Sequence, residues 1–164
     1  MLRRLRETGP VLLVPLAWTF ATAAHLELLA TYPVLVGHVV MDVLLFGFAA
    51  LSWRDMQAHP VLRAWLAVIV VGFGITLVGT YALATGGDPT LTGFTVLGWM
   101  VVPALALLYT GRVLPADERA WAYTVGGALS GVGAVVFLAG VPLAALALVG
   151  VGQTLGILVA VLEY

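Results

Sequence analysis

Residues 60–111 read PVLRAWLAVIVVGFGITLVGTYALATGGDPTLTGFTVLGWMVVPALALLYTG. Two apolar runs flank the polar break Gly86-Gly87-Asp88-Pro89, and each run has the roughly 20 residues that a helix needs to cross a hydrocarbon layer about 30 Å thick. Both runs open with a proline, at Pro60 and Pro89, where the missing N–H costs no helical hydrogen bond. This stretch therefore predicts a transmembrane helical hairpin.

The composition extends this interpretation to the whole chain. Its 164 residues are 62% hydrophobic and only 9% charged, and the mean hydropathy is +1.11. Too little polar material is present to coat a soluble domain. We therefore predict an all-α polytopic membrane protein, a six-helix transmembrane bundle that forms a single domain over residues 1–164. The predicted spans are residues 10–30, 33–53, 60–85, 89–111, 119–139 and 142–163.

Residue types that are missing from the sequence exclude several kinds of site. The chain has no cysteine, which excludes disulfides, thiolate metal sites and thiol nucleophiles. It has no lysine, which excludes a retinal Schiff base and the lysine of a phosphate-binding loop. A net charge of −1 argues against a nucleic-acid partner. The sequence carries no signature of an enzyme, and its predicted partner is the lipid bilayer.

The arginines predict the orientation. All of them fall at the start of the chain, in the second and fourth connections, or next to those connections, which are on one side of a six-span protein. Because positive charge accumulates on the cytoplasmic side, we predict a multi-pass plasma-membrane protein with both termini in the cytoplasm. Arginine without lysine is also typical of a GC-rich prokaryotic source. The arginines are Arg3, Arg4, Arg6, Arg54, Arg63, Arg112 and Arg119.

Two segments of the chain echo each other. Residues 71–77 read VGFGITL, and residues 149–155 read VGVGQTL. Trp18 in the first span has a counterpart in Trp99 in the fourth. If the chain is a duplication, its two halves have three helices each and are inverted relative to each other, because three is odd. Inverted 3+3 repeats of this kind occur in many transporters. In a chain so rich in glycine and valine, chance composition also explains the echo.

Pairs of small residues four apart indicate close helix contacts. Gly127 and Gly131 form one such pair, and Gly152 and Gly156 form another. Lipid supplies no hydrophobic drive for helix association, so small residues allow the close approach that packing needs. The pairs favour packing within the chain and are also compatible with a homo-oligomer.

Ionisable residues inside the predicted spans are the candidate functional residues, because each is expensive in hydrocarbon. They are His25 and Glu27 in the first span and His38 and Asp42 in the second, all in the half away from the termini. His38 and Asp42 are four apart and share a helix face. The short turn around Thr31 predicts that the first helix packs beside the second, so we expect His25, His38 and Asp42 to share one pocket.

Such a pocket suits a haem or a transition metal. Neutral imidazole ligates haem iron, copper and zinc, and a carboxylate can orient the ring. The predicted cofactor ligands are His38, His25 and Met100, whose thioether suits haem iron or Cu(I). The predicted metal ligands are His38, His25 and Asp42. The function predicted first is binding of haem b or a transition metal in the outer half of the bundle, for electron transfer with an unknown redox partner, sensing or cofactor handling.

Two alternatives come from different classes of protein. A small transporter or channel for protons, ions or a small solute uses the same polar groups as a path, formed by Glu27, Asp42 and Gln153. The second alternative is a structural membrane subunit without a binding site. In that case the shallow polar side chains of the spans contact water near the membrane surface or bond a backbone carbonyl.

One stretch carries a family resemblance. The segments His38-Val39-Val40-Met41, Phe46-Gly47-Phe48 and Arg63-Ala64-Trp65-Leu66-Ala67, followed by a glycine-spaced span, resemble short subunit-I-like membrane proteins of the haem-copper oxidase superfamily. The resemblance implies that His38 is a haem ligand. Residues 49–53 lack the second histidine of that family, and the chain has only three histidines, too few for oxygen reduction.

Overall fold

The computed structural model describes the backbone of residues 2–163 and the side chains of residues 12–161. The described chain forms six α-helices, with a short 3-10 helix, Ala116–Glu118, between the fourth and fifth. The side chains of Arg3, Arg4 and Arg6, on which part of the predicted orientation rests, lie outside the described residues. The helices are α1 Leu2–His25, α2 Thr31–Met56, α3 Pro60–Ala84, α4 Pro89–Val113, α5 Ala120–Leu138 and α6 Pro142–Glu163.

Length and hydropathy make this a membrane bundle. Within the described residues, the five helices α2 to α6 are long and apolar enough to cross a bilayer, and Leu12–His25 of α1 is a shorter apolar segment. Large apolar side chains stay exposed along α2, among them Val43, Phe46 and Leu51. A helix whose outer surface is apolar is suited to contact with lipid. The predicted all-α membrane bundle is confirmed.

Three short turns lie on one side of the bundle, which we call the outer side: residues 26–30, 85–88 and 139–141. The two later turns follow their sequence signals, with Gly86 and Gly140 in the left-handed region. Asp88 caps α4, because its Oδ1 accepts hydrogen bonds from Thr90 N at 2.8 Å and Leu91 N at 3.0 Å. Helices α3 to α6 match their predicted spans within two residues at each end.

The first connection differs from the prediction. We expected the first span to reach Ala30 and the second to begin at Pro33, but α1 ends at His25 and α2 begins at Thr31. The chain turns at Glu27, whose φ is 58°. The first span is therefore shorter at its outer end than its sequence predicts.

The helices pack in the order α2, α3, α4, α5, α6, α1, with α4 also touching α6. In the described residues α1 packs on α6 and has little contact with α2. One point of contact with α2 is Phe20, whose ring lies against Gly37. The prediction that α2 is the main neighbour of α1 is wrong, because a short connection constrains the ends of two helices but not their packing along the length.

Glycines hold α4, α5 and α6 close together. Gly126 of α5 and Gly152 of α6 face each other, so that each lies against the carbonyl oxygen of the other. Gly127 rests on Ala104 O and Leu108 of α4, and Gly156 rests on Leu107. These contacts confirm packing within the chain for three of the four predicted small residues, whereas Gly131 has open space beside it.

Candidate functional site

Asp42 is a buried carboxylate within the apolar part of α2. It is 8% exposed, and its Oδ2 accepts a hydrogen bond of 2.7 Å from the Thr80 hydroxyl of α3. Its Oδ1 is buried and has no hydrogen-bond partner among the described residues. Thr80 lies four residues before the end of α3, or about 6 Å along its axis, which places the carboxylate in the outer half as predicted. A single hydrogen bond leaves a charged Asp42 poorly compensated.

His38 lies one turn before Asp42 on the same helix, and its imidazole is half-buried. Its Nδ1 is 3.0 Å from the carbonyl oxygen of Val34. A carbonyl only accepts, so Nδ1 carries the hydrogen and Nε2 of the neutral ring is left as a proton acceptor. The ring carbon Cδ2, next to Nε2, lies beside Gly79 of α3.

Gly79 makes room for this ring. A Cβ at Gly79 would lie 2.8 Å from Thr95 Cγ2, closer than real Cβ atoms lie, and 3.0 Å from His38 Cδ2, which is tighter than most real Cβ contacts. Thr95 is itself fixed, because its hydroxyl donates to Leu91 O at 2.9 Å. Glycine at position 79 thus lets α2, α3 and α4 meet at the polar cluster, which consists of His38, Asp42, Gly79, Thr80 and Thr95.

Replacement of Gly79 by alanine is expected to displace the His38 ring or Thr95 and to destabilise the protein by about 1–2 kcal/mol, the usual cost of overpacking. Gly74→Ala is the matched control on the same helix, because a Cβ there meets nothing within 4 Å. It is expected to be neutral or stabilising, since alanine favours helix over glycine. Equilibrium unfolding in mixed micelles compares the two, and equal stabilities would show that Gly79 is not under steric constraint.

The structure does not bring the other predicted ligands to this cluster. His25 and Glu27 are exposed at the outer end of α1. Met100 is fully buried elsewhere, in a core with Trp18 and Val149. Among the described residues, no three His, Asp or Glu side chains lie close enough to hold a metal ion together. The expected pocket shared by His25, His38 and Asp42 is therefore wrong, because it depended on α1 packing along α2.

The His38 ring is a poor fit for haem in this arrangement. The ring carbon next to Nε2 packs on Gly79 of α3, and Met100, the other predicted ligand of a haem iron, is buried in a different part of the bundle. Ligation of a haem or a metal by His38 stays a prediction of the sequence.

A second polar network crosses the middle of the bundle. Trp18 Nε1 of α1 donates to Gln153 Oε1 of α6 at 3.0 Å, and Gln153 Nε2 donates to the carbonyl oxygen of Trp99 in α4 at 2.9 Å. Trp99 Nε1 donates to Thr76 Oγ1 of α3 at 3.0 Å, and that hydroxyl donates to Gly72 O. Gln153, predicted as a path residue, has both ends of its amide bonded, so its evident role here is to join helices.

The same network connects the two echoing segments. Gly72 of α3 lies against the Trp99 ring, and Gly150 of α6 lies against Trp18. The α3–α4 and α6–α1 packing pairs thus use equivalent residues of the echo. The α2–α3 pair likewise corresponds to α5–α6, whereas the close α4–α5 pair has no counterpart between α1 and α2 in the described residues. An inverted repeat predicts the first two of these correspondences, and the α4–α5 pair departs from it.

A groove of about 470 Å³ runs between α1 and α6. Thr19 and Thr22 line it, but their hydroxyls donate to carbonyls of their own helix, at Pro15 and Trp18. Its remaining lining is mainly apolar. Thr154 of α6 also lines the groove, but no ionisable side chain does, so the candidate site is the polar cluster.

Sequence reasoning found Asp42 and His38 but missed Thr80, Gly79 and Thr95. A threonine in an apolar helix is a weak signal, because its hydroxyl usually bonds a carbonyl of its own helix, as Thr76 does here. Comparison with protein-family models, curated proteins and solved structures gives no match to this chain. The resemblance to haem-copper oxidase subunits therefore stays a prediction.

Proposed function

We propose that this protein translocates protons across the membrane and that Asp42 is the residue that carries them. One observation supports the proposal above all others: Asp42 has one carboxylate oxygen bonded by Thr80 and the other buried without a partner in the described residues. Ionisable residues at membrane depth are costly and commonly serve transport paths. A function in transport is the alternative that best accounts for this cost.

The chemistry of the polar cluster favours a proton as the species carried. A charged carboxylate with one hydrogen bond in an apolar bundle is unstable, whereas a protonated one is neutral and tolerates burial. Asp42 is the carboxylate of the polar cluster, and we therefore propose it as the group that binds the proton. His38, one turn away with Nε2 free to accept, supplies a group to which or from which the proton passes.

The orientation belongs to the same proposal. Arg54, Arg112 and Arg119 lie on the side opposite the outer turns, so the outer side faces away from the cytoplasm by the positive-inside rule. We propose a plasma membrane of a prokaryotic cell, with both termini inside. The polar cluster then lies closer to the external face.

Asp42→Asn is expected to reduce proton flux at least tenfold in proteoliposomes, because asparagine keeps the shape of the side chain but cannot carry a proton. Flux is driven by a potassium gradient with valinomycin and followed with an internal pH-sensitive dye. Asp88→Asn is the matched control: Asp88 is an exposed cap in an outer turn, and asparagine also caps helices well. Flux within twofold of the wild type is expected for this control. Undiminished flux in Asp42→Asn, or flux equal to empty liposomes in the wild type, overturns the proposal.

A further inference from the structure

The turn between α1 and α2 has the sequence of a helix. Residues 26–30 read Leu-Glu-Leu-Leu-Ala, and every one of these residue types is a strong helix former. The structure nevertheless has a turn at 26–30, between two helices. Conflict between local preference and observed structure is typical of strained or functional segments.

The strain is located at Glu27. Leu28 N donates to Ala23 O at 3.0 Å and Glu27 N to Ala24 O at 3.1 Å, a helix-ending pattern in which glycine usually takes the left-handed position. Glu27 takes that position here, with a φ of 58°. The other two outer turns have glycine in the left-handed region, at Gly86 and Gly140. A residue with a Cβ is disfavoured there.

In the second half of the chain, the segment equivalent to the end of α1 is part of an unbroken helix. With Trp18 aligned on Trp99, residues 23–30 correspond to residues 104–111. There α4 continues as a helix to Val113, and its Ala104 and Leu108 pack against Gly127 of α5. In the first half the helix has stopped, and α1 only grazes α2.

We propose that residues 26–30 are a switch segment, which exchanges between the turn seen in this structure and a helical form that extends α1 to Ala30 and moves the connection to residues 31–33, at the start of α2. In the helical form Glu27 is seven residues, or two turns, beyond Phe20 and so lies on the same face. Phe20 already contacts Gly37 of α2. The extension therefore turns the Glu27 carboxylate toward the outer end of α2, about 10 Å outward from the level of Gly37, and lengthens the contact between α1 and α2.

Substitutions at residue 27 shift the two forms in opposite directions. Glu27→Gly removes the strain of the turn and weakens the helix, whereas Glu27→Ala keeps the strain and provides the best helix former. The helix-to-turn ratio is expected to be about 30-fold higher in the alanine variant than in the glycine variant, which corresponds to about 2 kcal/mol. Glu27→Gln is the matched control, because it removes the charge and leaves the backbone preferences nearly unchanged.

Backbone chemical shifts of residues 26–30 in lipid nanodiscs measure the ratio directly. We expect the ¹³Cα shifts of the alanine variant to move toward helical values relative to the glycine variant, with the wild type and Glu27→Gln between them and broadened by exchange on the μs–ms scale. Turn-like shifts in all four proteins, the alanine variant included, would falsify the switch. A thermal unfolding transition in each variant confirms that each is folded.

The exchange of the switch segment between turn and helix does not depend on the proposed function. Only the idea that this exchange controls proton transfer by Asp42 rests on it. Proteoliposome flux separates the two ideas. If the switch gates Asp42, Glu27→Gly, held in the turn, is expected to lose flux at least tenfold. Normal flux in Glu27→Gly together with lost flux in Asp42→Asn rejects the gate and leaves the proton path standing. The backbone chemical shifts test the exchange of the switch segment even if the wild-type protein does not translocate protons.

Discussion

Gly152→Val is expected to separate α5 from α6 and to destabilise the protein by about 3 kcal/mol or more, the upper end of the cost of overpacking. A Cβ at residue 152 lies 2.5 Å from Gly126 O, 3.0 Å from Leu129 Cβ and 3.0 Å from Ser130 Oγ. The nearest of these atoms belongs to the backbone, so a side-chain rotation cannot relieve the clash. Loss of the contact also removes close packing, which is a main source of helix association in lipid.

Gly131→Val is the matched control for this prediction. It makes the same substitution on α5, where a Cβ meets nothing within 4 Å. Its stability is expected to stay within about 0.5 kcal/mol of the wild type, as for most surface changes. Unfolding of both variants in mixed micelles makes the comparison. A Gly152→Val protein as stable as Gly131→Val would mean that α5 and α6 do not meet at these glycines. Reduced stability of Gly131→Val instead indicates that this open face is covered in the folded protein, for example by a second copy.

The helices were predictable because apolar runs and turn signals are local features of the sequence. Gly86, Asp88 and Gly140 end or begin helices by their own conformational preferences, so the end of α3, the start of α4 and the end of α5 follow from them. The turn at residues 26–30 was not predictable in this way. Its residues favour helix, and only the rest of the fold holds Glu27 in the left-handed region.

Two of the five residues of the polar cluster were predictable for a similar reason. His38 and Asp42 share a face because they are four apart on one helix, which is a local relation. The partners of that face depend on which helix packs against it. The sequence pointed to α1 and His25, whereas the structure places α3, with Gly79 and Thr80, against it. Pairing between helices depends on the fit of whole surfaces, which spacing in the chain does not reveal.

Gln153→Leu is expected to destabilise the protein by about 2 kcal/mol, because two hydrogen bonds that join three helices are lost together. Buried hydrogen bonds between membrane helices contribute about 0.6 kcal/mol on average and up to about 1.7 kcal/mol. Leucine also leaves the Trp18 Nε1 without its acceptor, and an unsatisfied donor in a dry core adds to the cost. The expected loss is therefore above the average for two bonds. Thr154→Val, at the next position on α6 and only half-buried, is expected to change stability little.

A double-mutant cycle apportions the effect between the two bonds of Gln153. Trp18→Phe removes the indole donor and keeps an aromatic ring against Gly150, whereas the bond from Gln153 to the Trp99 carbonyl is left intact. If the network acts as one unit, Trp18→Phe costs much less in the Gln153→Leu background than in the wild type, and the coupling energy is at least about 0.5 kcal/mol. Additive effects, or a Gln153→Leu protein as stable as Thr154→Val, contradict the network. Because the same glutamine joins α1 to α4 and α6, its loss is expected to free α1 from the bundle before any other helix.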